Sequence, residues 1–326
     1  MKALVYGGSE RLDIQTVPDP QPQDGEQLIR IEAVGICGSD MHAYLGHDER
    51  RPPPLILGHE AAGVIVGGAR DGDRVTINPL VTCCACAACA SGRENLCPDR
   101  QIISMPPREG AFAQFVCMPE RNIVGIPDDT SLRVAALAEP LAVAWHAVRR
   151  AKGALHESAA RHALILGGGA IGLAVALCLQ AMGWQDIMIA EPNDARRNTL
   201  EERCHQQVCS DPTGPYSLVI DAVGYKATRE TASRLVEPGG VVIHVGLGDA
   251  NGGIDIRRMT LQEITFIGTY AYTAQDFRDT AQAIFDGRLG PLDWYEPRPL
   301  DDGATAFADL LSKRVAAPKI ILEPWA

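Results

Sequence analysis

Within fifteen residues this chain carries five cysteines, Cys83, Cys84, Cys86, Cys89 and Cys97. Leaving out Cys84, the spacing is C-x2-C-x2-C-x7-C, four thiols on one short lobe. Tetrahedral zinc takes four ligands, at about 2.3 Å when they are sulfur, and two-residue spacers let a turn wrap the ion. In a reducing compartment such a cluster is a metal site more often than a set of disulfides. Four thiolates leave no open coordination position. The lobe is therefore predicted to be braced by zinc and to do no chemistry of its own.

Chemistry needs a second, more open constellation, and two stretches offer parts of one. Gly35-Ile-Cys-Gly-Ser-Asp-Met-His42 places a thiol (Cys37), a hydroxyl (Ser39) and an imidazole (His42) within six residues. It follows the alternating apolar run Leu28 to Val34, so it is expected on the turn that ends a strand. A thiolate suits zinc, and a hydroxyl beside a histidine can pass a proton outwards. Leu57-Gly-His-Glu60 adds an imidazole and a carboxylate, His59 and Glu60, at a strand entrance. By itself each piece has a plainer reading, as a buried small thiol, a surface histidine or an exposed polar pair. Glu139 lies among apolar neighbours, before Pro140 in the helical stretch Val134 to Arg150. It reads either as a first-turn helix charge or as an acid that is paired or metal-bound.

From His162 the texture changes. Ala163 to Leu166 is a buried-strand run, followed by glycines at 167, 169 and 172 and an apolar helix from Leu173 to Met182. Gly167, Gly169 and Gly172 fit G-x-G-x-x-G between a strand and a helix. That pattern permits a tight turn, close approach to a pyrophosphate and close helix–strand packing. A second strand, Asp186 to Ala190, ends in Glu191, an acid that accepts hydrogen bonds from a ribose 2′-hydroxyl and repels a 2′-phosphate. NAD is thus favoured, while Arg196 and Arg197 keep NADP admissible. Further strands are expected at Ser217–Asp221, Gly240–Val245 and Glu263–Ile267, giving the β-α-β repetition of a parallel doubly wound sheet. In the first half Gly110–Met118 reads as a strand. Helices at Ala274–Phe285 and Gly303–Leu311 and a last strand, Lys319–Leu322, return to the first domain.

A chain of 326 residues is long enough for two such domains. A formal charge of −11 opposes a nucleic-acid or acidic-membrane partner, which would want a basic face. No apolar run approaches the ~20 residues that span a bilayer. Met1 to Tyr6 reads as a short strand and not as a signal peptide, so a cytoplasmic protein is expected.

Taken together, Gly35–His42, Gly58-His-Glu-Ala-Ala-Gly63, the four-cysteine lobe, Glu139-Pro-Leu141 and the glycine fingerprint resemble the zinc-dependent medium-chain dehydrogenases. Within that superfamily the chain resembles the sorbitol (polyol) and L-threonine dehydrogenase branch, nearly end to end. The resemblance implies an α/β protein: a GroES-like β-barrel catalytic domain plus a Rossmann doubly wound parallel-sheet domain. The boundaries would be 1–145, 146–271, and 272–326 returning to the catalytic domain. It implies two zinc ions and NAD. Cys37, His59 and either Glu60 or Glu139 would hold the catalytic zinc, the remaining carboxylate and a water filling or exchanging at the open position, with Ser39 and His42 as the proton relay. Cys83, Cys86, Cys89 and Cys97 would hold the structural zinc, Cys84 standing where the family usually has glycine.

On the cofactor side the resemblance points to Ile171, Glu191 and Arg196 as dinucleotide contacts. Val245, Gly246 and Leu247 would face the nicotinamide, with Thr269 and Tyr270 nearby. It further implies a homodimer or homotetramer that oxidises a small-molecule secondary alcohol, first of all a polyol or sugar alcohol. Short secondary alcohols or vicinal diols rank next, then L-threonine. Ala271 stands where sorbitol dehydrogenases tend to carry a polyol-binding arginine, and the Val64–Asp73 connection is short. A zinc-independent quinone or enal reductase of the same fold would lack these ligands. A non-catalytic zinc- and nucleotide-binding module is the remaining alternative; a plain zinc-binding or interaction module is opposed by the glycine fingerprint and the negative charge.

Overall fold

The alternating run from Leu28 becomes the strand Glu26–Gly35, whose inward residues Ile29, Ile31 and Ala33 are fully buried. In the computed structural model, which describes residues 1–326, this strand is the hub of a seven-stranded sheet. Glu60–Val66 pairs antiparallel with one edge of the hub and Lys319–Glu323 with its C-terminal end, while Phe115–Pro119 pairs with its first half. Arg74–Ile77 and Ile123–Gly125 extend one wing, and Tyr295–Pro299 closes the other, parallel to Lys319–Glu323. Residues from both ends of the chain thus meet on one strand.

The chain packs as two units, Met1–Glu139 with Thr273–Ala326, and Pro140–Tyr272. The first seam falls inside the helix Ala138–Ala154, a little ahead of the 145/146 boundary expected from sequence. The core of the first unit includes an aromatic cluster in which the Phe307 ring centroid lies 5.2 Å from Tyr44 and 5.9 Å from Phe112. Tyr44 ends the short helix Gly38–Tyr44, so this cluster fixes where that helix sits. Burying a ring of this size contributes about 2–3 kcal/mol.

The second unit is a six-stranded, all-parallel sheet. Its order is Gln207–Cys209, Asp186–Ala190, His162–Leu166, Tyr216–Asp221, Val236–His244, Thr265–Gly268. The strand that comes first in sequence, His162–Leu166, is central and strand order reverses beside it, the doubly wound arrangement that binds ligands at strand carboxyl ends.

Several elements differ from the sequence reading. Cys37 caps a helix, so Ser39 and His42 lie on Gly38–Tyr44 and not on a turn. The stretch 110–114 is irregular and only Phe115–Pro119 is a strand, because Gly110 and Phe112 hydrogen-bond to Ile56 and Leu57 at the end of the short strand Leu55–Ile56. The helical stretch near Glu139 is two helices, Leu132–Ala136 and Ala138–Ala154, with Pro140 inside the first turn of the second, where its missing N–H costs nothing. The last Rossmann strand begins at Thr265, after the helix Ile256–Leu261.

Candidate metal centres and cofactor site

The cysteine lobe closes on itself. The Sγ atoms of Cys83 and Cys97 are 3.4 Å apart, those of Cys86 and Cys89 3.5 Å, and those of Cys83 and Cys89 3.9 Å. A tetrahedron with 2.3 Å zinc–sulfur bonds has edges of about 3.8 Å, so the four thiols already have the size of the ion's shell. Backbone N–H groups point at the sulfurs: Cys86 N lies 3.4 Å from Cys83 Sγ, and Cys89 N 3.5 Å from Cys86 Sγ. Backbone donors at Ala85 and Cys86 lower the Cys83 thiol to about 6, whereas burial and neighbouring thiols push Cys89 up to about 12. Without metal the thiols divide their protons unequally. Zinc binding displaces the remaining ones, which makes uptake pH-dependent. Cys84 is exposed, has φ +59°, and turns its sulfur towards Thr82 O at 3.6 Å, away from the cluster.

The second constellation is assembled from distant parts of the first unit. Ligand atoms of Cys37, His59 and Glu60 all lie within 4.8 Å of one another, His59 and Glu60 being buried. Of the two carboxylates the sequence offered, Glu60 is the one in this cluster. Glu139 is buried at the start of its helix outside the cluster, close enough to bear electrostatically on Lys319. Glu60 Oε1 accepts from Lys319 Nζ at 2.7 Å, while Glu60 Oε2 is buried with no partner. An ideal Cβ on Gly35 would come within 2.1 Å of Oε2, so the absence of a side chain there is what admits the carboxylate. An orphaned carboxylate oxygen beside a thiol and an imidazole fits a zinc ion.

Asp40, fully buried, builds the backing of this site. Its carboxylate accepts from Cys37 N at 3.0 Å and Gly58 N at 3.3 Å, and faces His59 Nδ1 at 3.4 Å. With Nδ1 held, the other ring nitrogen of His59 is left for a metal, the carboxylate–histidine pairing of zinc sites. Burial disfavours the charged form of both residues. Their mutual charge and hydrogen bond prevail, so the Asp40 carboxyl is held low and the His59 imidazole well above its usual range. The buried Arg51 donates to Ser39 O and Ser104 O, tying the Ser39 turn to the loop beside His59. Ser39 is half-buried and His42 exposed, one turn apart on one helix face.

Sequence reasoning missed Asp40, Arg51 and Lys319. Asp40 had a local signal, since an acid three residues after a helix N-cap fits a capping box. Lys319 had only its oddity, a lysine leading into the apolar run Ile320–Leu322.

In the second unit Gly172 packs so closely that a Cβ would fall 1.8 Å from Gly167 O, while one on Gly169 would meet open space. Glu191 Oε2 accepts from Gly168 N and Oε1 from Asn193 N, both at 2.9 Å, with Arg196 Nη1 3.4 Å away. The acid is thereby fixed beside the glycine turn, Ile171 lying half-buried in the first turn of the helix. Asp221 anchors the ends of the neighbouring strands. Its carbonyl accepts from Val245 N and Gly246 N, and its carboxylate from Val223 N, Gly224 N and Thr228 Oγ1. Thr269 N donates to His244 O, which sets Thr269 and Tyr270 beside Val245–Leu247 at the carboxyl edge of the sheet.

Residues 23–128 match the alcohol dehydrogenase GroES-like domain and residues 170–286 the zinc-binding dehydrogenase domain. The sorbitol dehydrogenase of Bacillus subtilis is 34% identical over 296 residues, covering 83% of this chain and 82% of that protein. The chain belongs to the zinc-dependent medium-chain dehydrogenases, in their polyol branch. L-galactonate-5-dehydrogenase of Escherichia coli K12 is 32% identical over 289 residues, covering 83% of each protein. A zinc-binding dehydrogenase of Sinorhizobium meliloti solved with NADP superposes with a TM-score of 0.86 at 26% identity, over 99% of both chains. This family member is therefore an oxidoreductase that uses zinc and a nicotinamide dinucleotide. No helix is long and apolar enough to cross a membrane.

Proposed function

We propose that the protein oxidises a secondary carbinol of a polyol or sugar alcohol to the ketone, with NAD as hydride acceptor. The observation that carries this reading is the Cys37–His59–Glu60 donor set in a chain whose relatives above 30% identity act on sorbitol and on galactonate. Cys37, His59 and Glu60 would hold the catalytic zinc. The zinc, when bound, supplies the Lewis acidity that brings a substrate hydroxyl's pKa towards neutrality. Asp40 orients His59, Ser39 takes the hydroxyl proton, and His42, exposed on the same helix face, hands it to solvent. Cys83, Cys86, Cys89 and Cys97 would hold the second zinc as a brace.

NAD is preferred because the Glu191 carboxylate, held by Gly168 and Asn193, is placed to accept from a 2′-hydroxyl. Gly167, Gly169, Ile171, Gly172 and Arg196 would line the dinucleotide, and Val245, Gly246, Leu247, Thr269 and Tyr270 the nicotinamide end. The open edge strand Thr265–Gly268 exposes Phe266, with Ile256 and Leu261 exposed just before it. This supports a homo-oligomer formed on that edge. Ten free cysteines, five of them proposed as zinc ligands, support a cytoplasmic location.

One observation favours a smaller substrate. Ala271, at φ +45°, replaces the arginine expected to bind a polyol. The test is NADH formation by the zinc-loaded protein across polyols, sugar acids, vicinal diols, simple secondary alcohols and L-threonine. The expected result is a preference for polyols or their acids by at least an order of magnitude in kcat/KM. Turnover confined to small diols or alcohols would replace this reading with the second one.

A further inference from the structure

Lys319 opens the strand Lys319–Glu323 and is 3% exposed, an expensive place for an ammonium group. Its Nζ donates to Glu60 Oε1 at 2.7 Å and to Ile36 O at 2.9 Å. Ile36 and Glu60 flank the donor cluster from two sides, one beside Cys37 and the other within it. The lysine comes from the far end of the chain, brought alongside by pairing of its strand with Val34 and Gly35. A divalent ion set against one thiolate and the two buried carboxylates Glu60 and Glu139 leaves one negative charge unmatched. Lys319 is a buried cation paired directly with Glu60 and close enough to Glu139 to feel its charge.

We propose that Lys319 is a positioning residue of this centre. It grips one oxygen of Glu60 so that the other is presented beside Cys37 and His59, and it supplies the balancing charge. The carboxylate is then held in ligand geometry before metal arrives, with Gly35 leaving the room that it needs. A lysine serving only to join two strands would need Ile36 O and not the carboxylate.

The inference rests on the reading of Cys37, His59 and Glu60 as a zinc centre, and the experiment separates the two. Zinc per chain and the rate of zinc loss to a competing chelator are measured for the full-length wild type, Lys319→Met, Lys319→Arg, Glu60→Gln and the Lys319→Met/Glu60→Gln double variant. The expected wild type holds two zincs, and Lys319→Met weakens the non-lobe zinc about 10- to 100-fold while the lobe zinc and NADH affinity are unchanged. Lys319→Arg, which keeps the charge, falls in between and guards against a Met variant that does not fold. In the Glu60→Gln background the Met substitution adds less than about twofold, because its route through the carboxylate is gone. An unchanged zinc affinity in Lys319→Met, or a full effect in the Glu60→Gln background, overturns the inference while leaving the zinc centre standing. A wild type that binds only the lobe zinc would overturn the zinc-centre reading itself, and this inference with it.

Discussion

The chain offers zinc two sites built on opposite plans. The lobe gathers four identical donors from fifteen consecutive residues, and its thiols range from exposed Cys83 to fully buried Cys97. The site at Cys37, His59 and Glu60 gathers three different donors and backs them with Asp40 from the Cys37 helix and Lys319 from the last strand. In the lobe a short turn and its own backbone N–H groups gather the sulfurs, with no packed sheet behind them, so metal binding there would contribute folding energy. In the buried site the sheet, the helix cap and the ion pair hold the donors, so the metal is free to serve chemistry. Removing a ligand should therefore cost activity at one site and stability at the other.

The largest effect is expected from Cys37→Ser. Serine is a good helix N-cap, so Gly38–Tyr44 keeps its start while the metal loses its thiolate. Turnover should fall by at least about 10³-fold, with NADH affinity and thermal midpoint nearly unchanged. Near-normal turnover would remove Cys37 from the chemistry and leave the contrast between the two sites without its functional half. Steady-state kinetics with NADH titration and thermal unfolding decides it.

Cys97→Ser tests the other half. Cys97 is fully buried and lies nearest Cys83, so its loss opens the four-sulfur shell. Zinc should drop from two per chain to one, and stability should fall by at least about 3 kcal/mol. Whatever protein remains folded should turn over with near-wild-type kcat. Metal content with unfolding curves would show this, and a stable Cys97→Ser protein retaining two zincs would mean that the lobe is not braced by metal.

The same contrast governs what could be read from the sequence. The lobe was legible because its ligands are close in sequence and turn geometry alone brings them together. The glycine fingerprint was legible for the same reason, since Gly167 and Gly172 meet across one turn. Cys37, His59 and Glu60 were each visible as residue types, but their meeting depends on antiparallel pairing of Glu26–Gly35 with Glu60–Val66, where Gly35 lies opposite Glu60. Whether Glu60 or Glu139 joins them is set by side-chain direction, which residue spacing does not encode. Lys319 was the least legible, because its significance comes from a strand pairing that joins residues almost three hundred positions apart. Asp40 shows the intermediate case: its local role as a cap partner could be read, its reach to His59 could not.

The smallest expected effect belongs to Cys84→Gly, and it sharpens the account of the lobe. Cys84 adopts φ +59°, a region in which a side chain costs about 1–2 kcal/mol and glycine costs little. Its sulfur contacts only Thr82, through weak thiol hydrogen bonds at 3.6 and 3.8 Å, and so contributes little to offset that strain. Glycine loses more chain entropy on folding, which offsets part of the gain, so a net stabilisation of about 0.5–1 kcal/mol is expected. Zinc content should stay at two per chain, because the four-sulfur shell is complete without this thiol. A rise of a degree or two in thermal midpoint at constant zinc would show that the fifth cysteine is a tolerated strain in the turn. A loss of lobe zinc in Cys84→Gly would instead make it a fifth donor that exchanges with its neighbours, and the lobe would no longer be the closed site that sets it apart from the buried one.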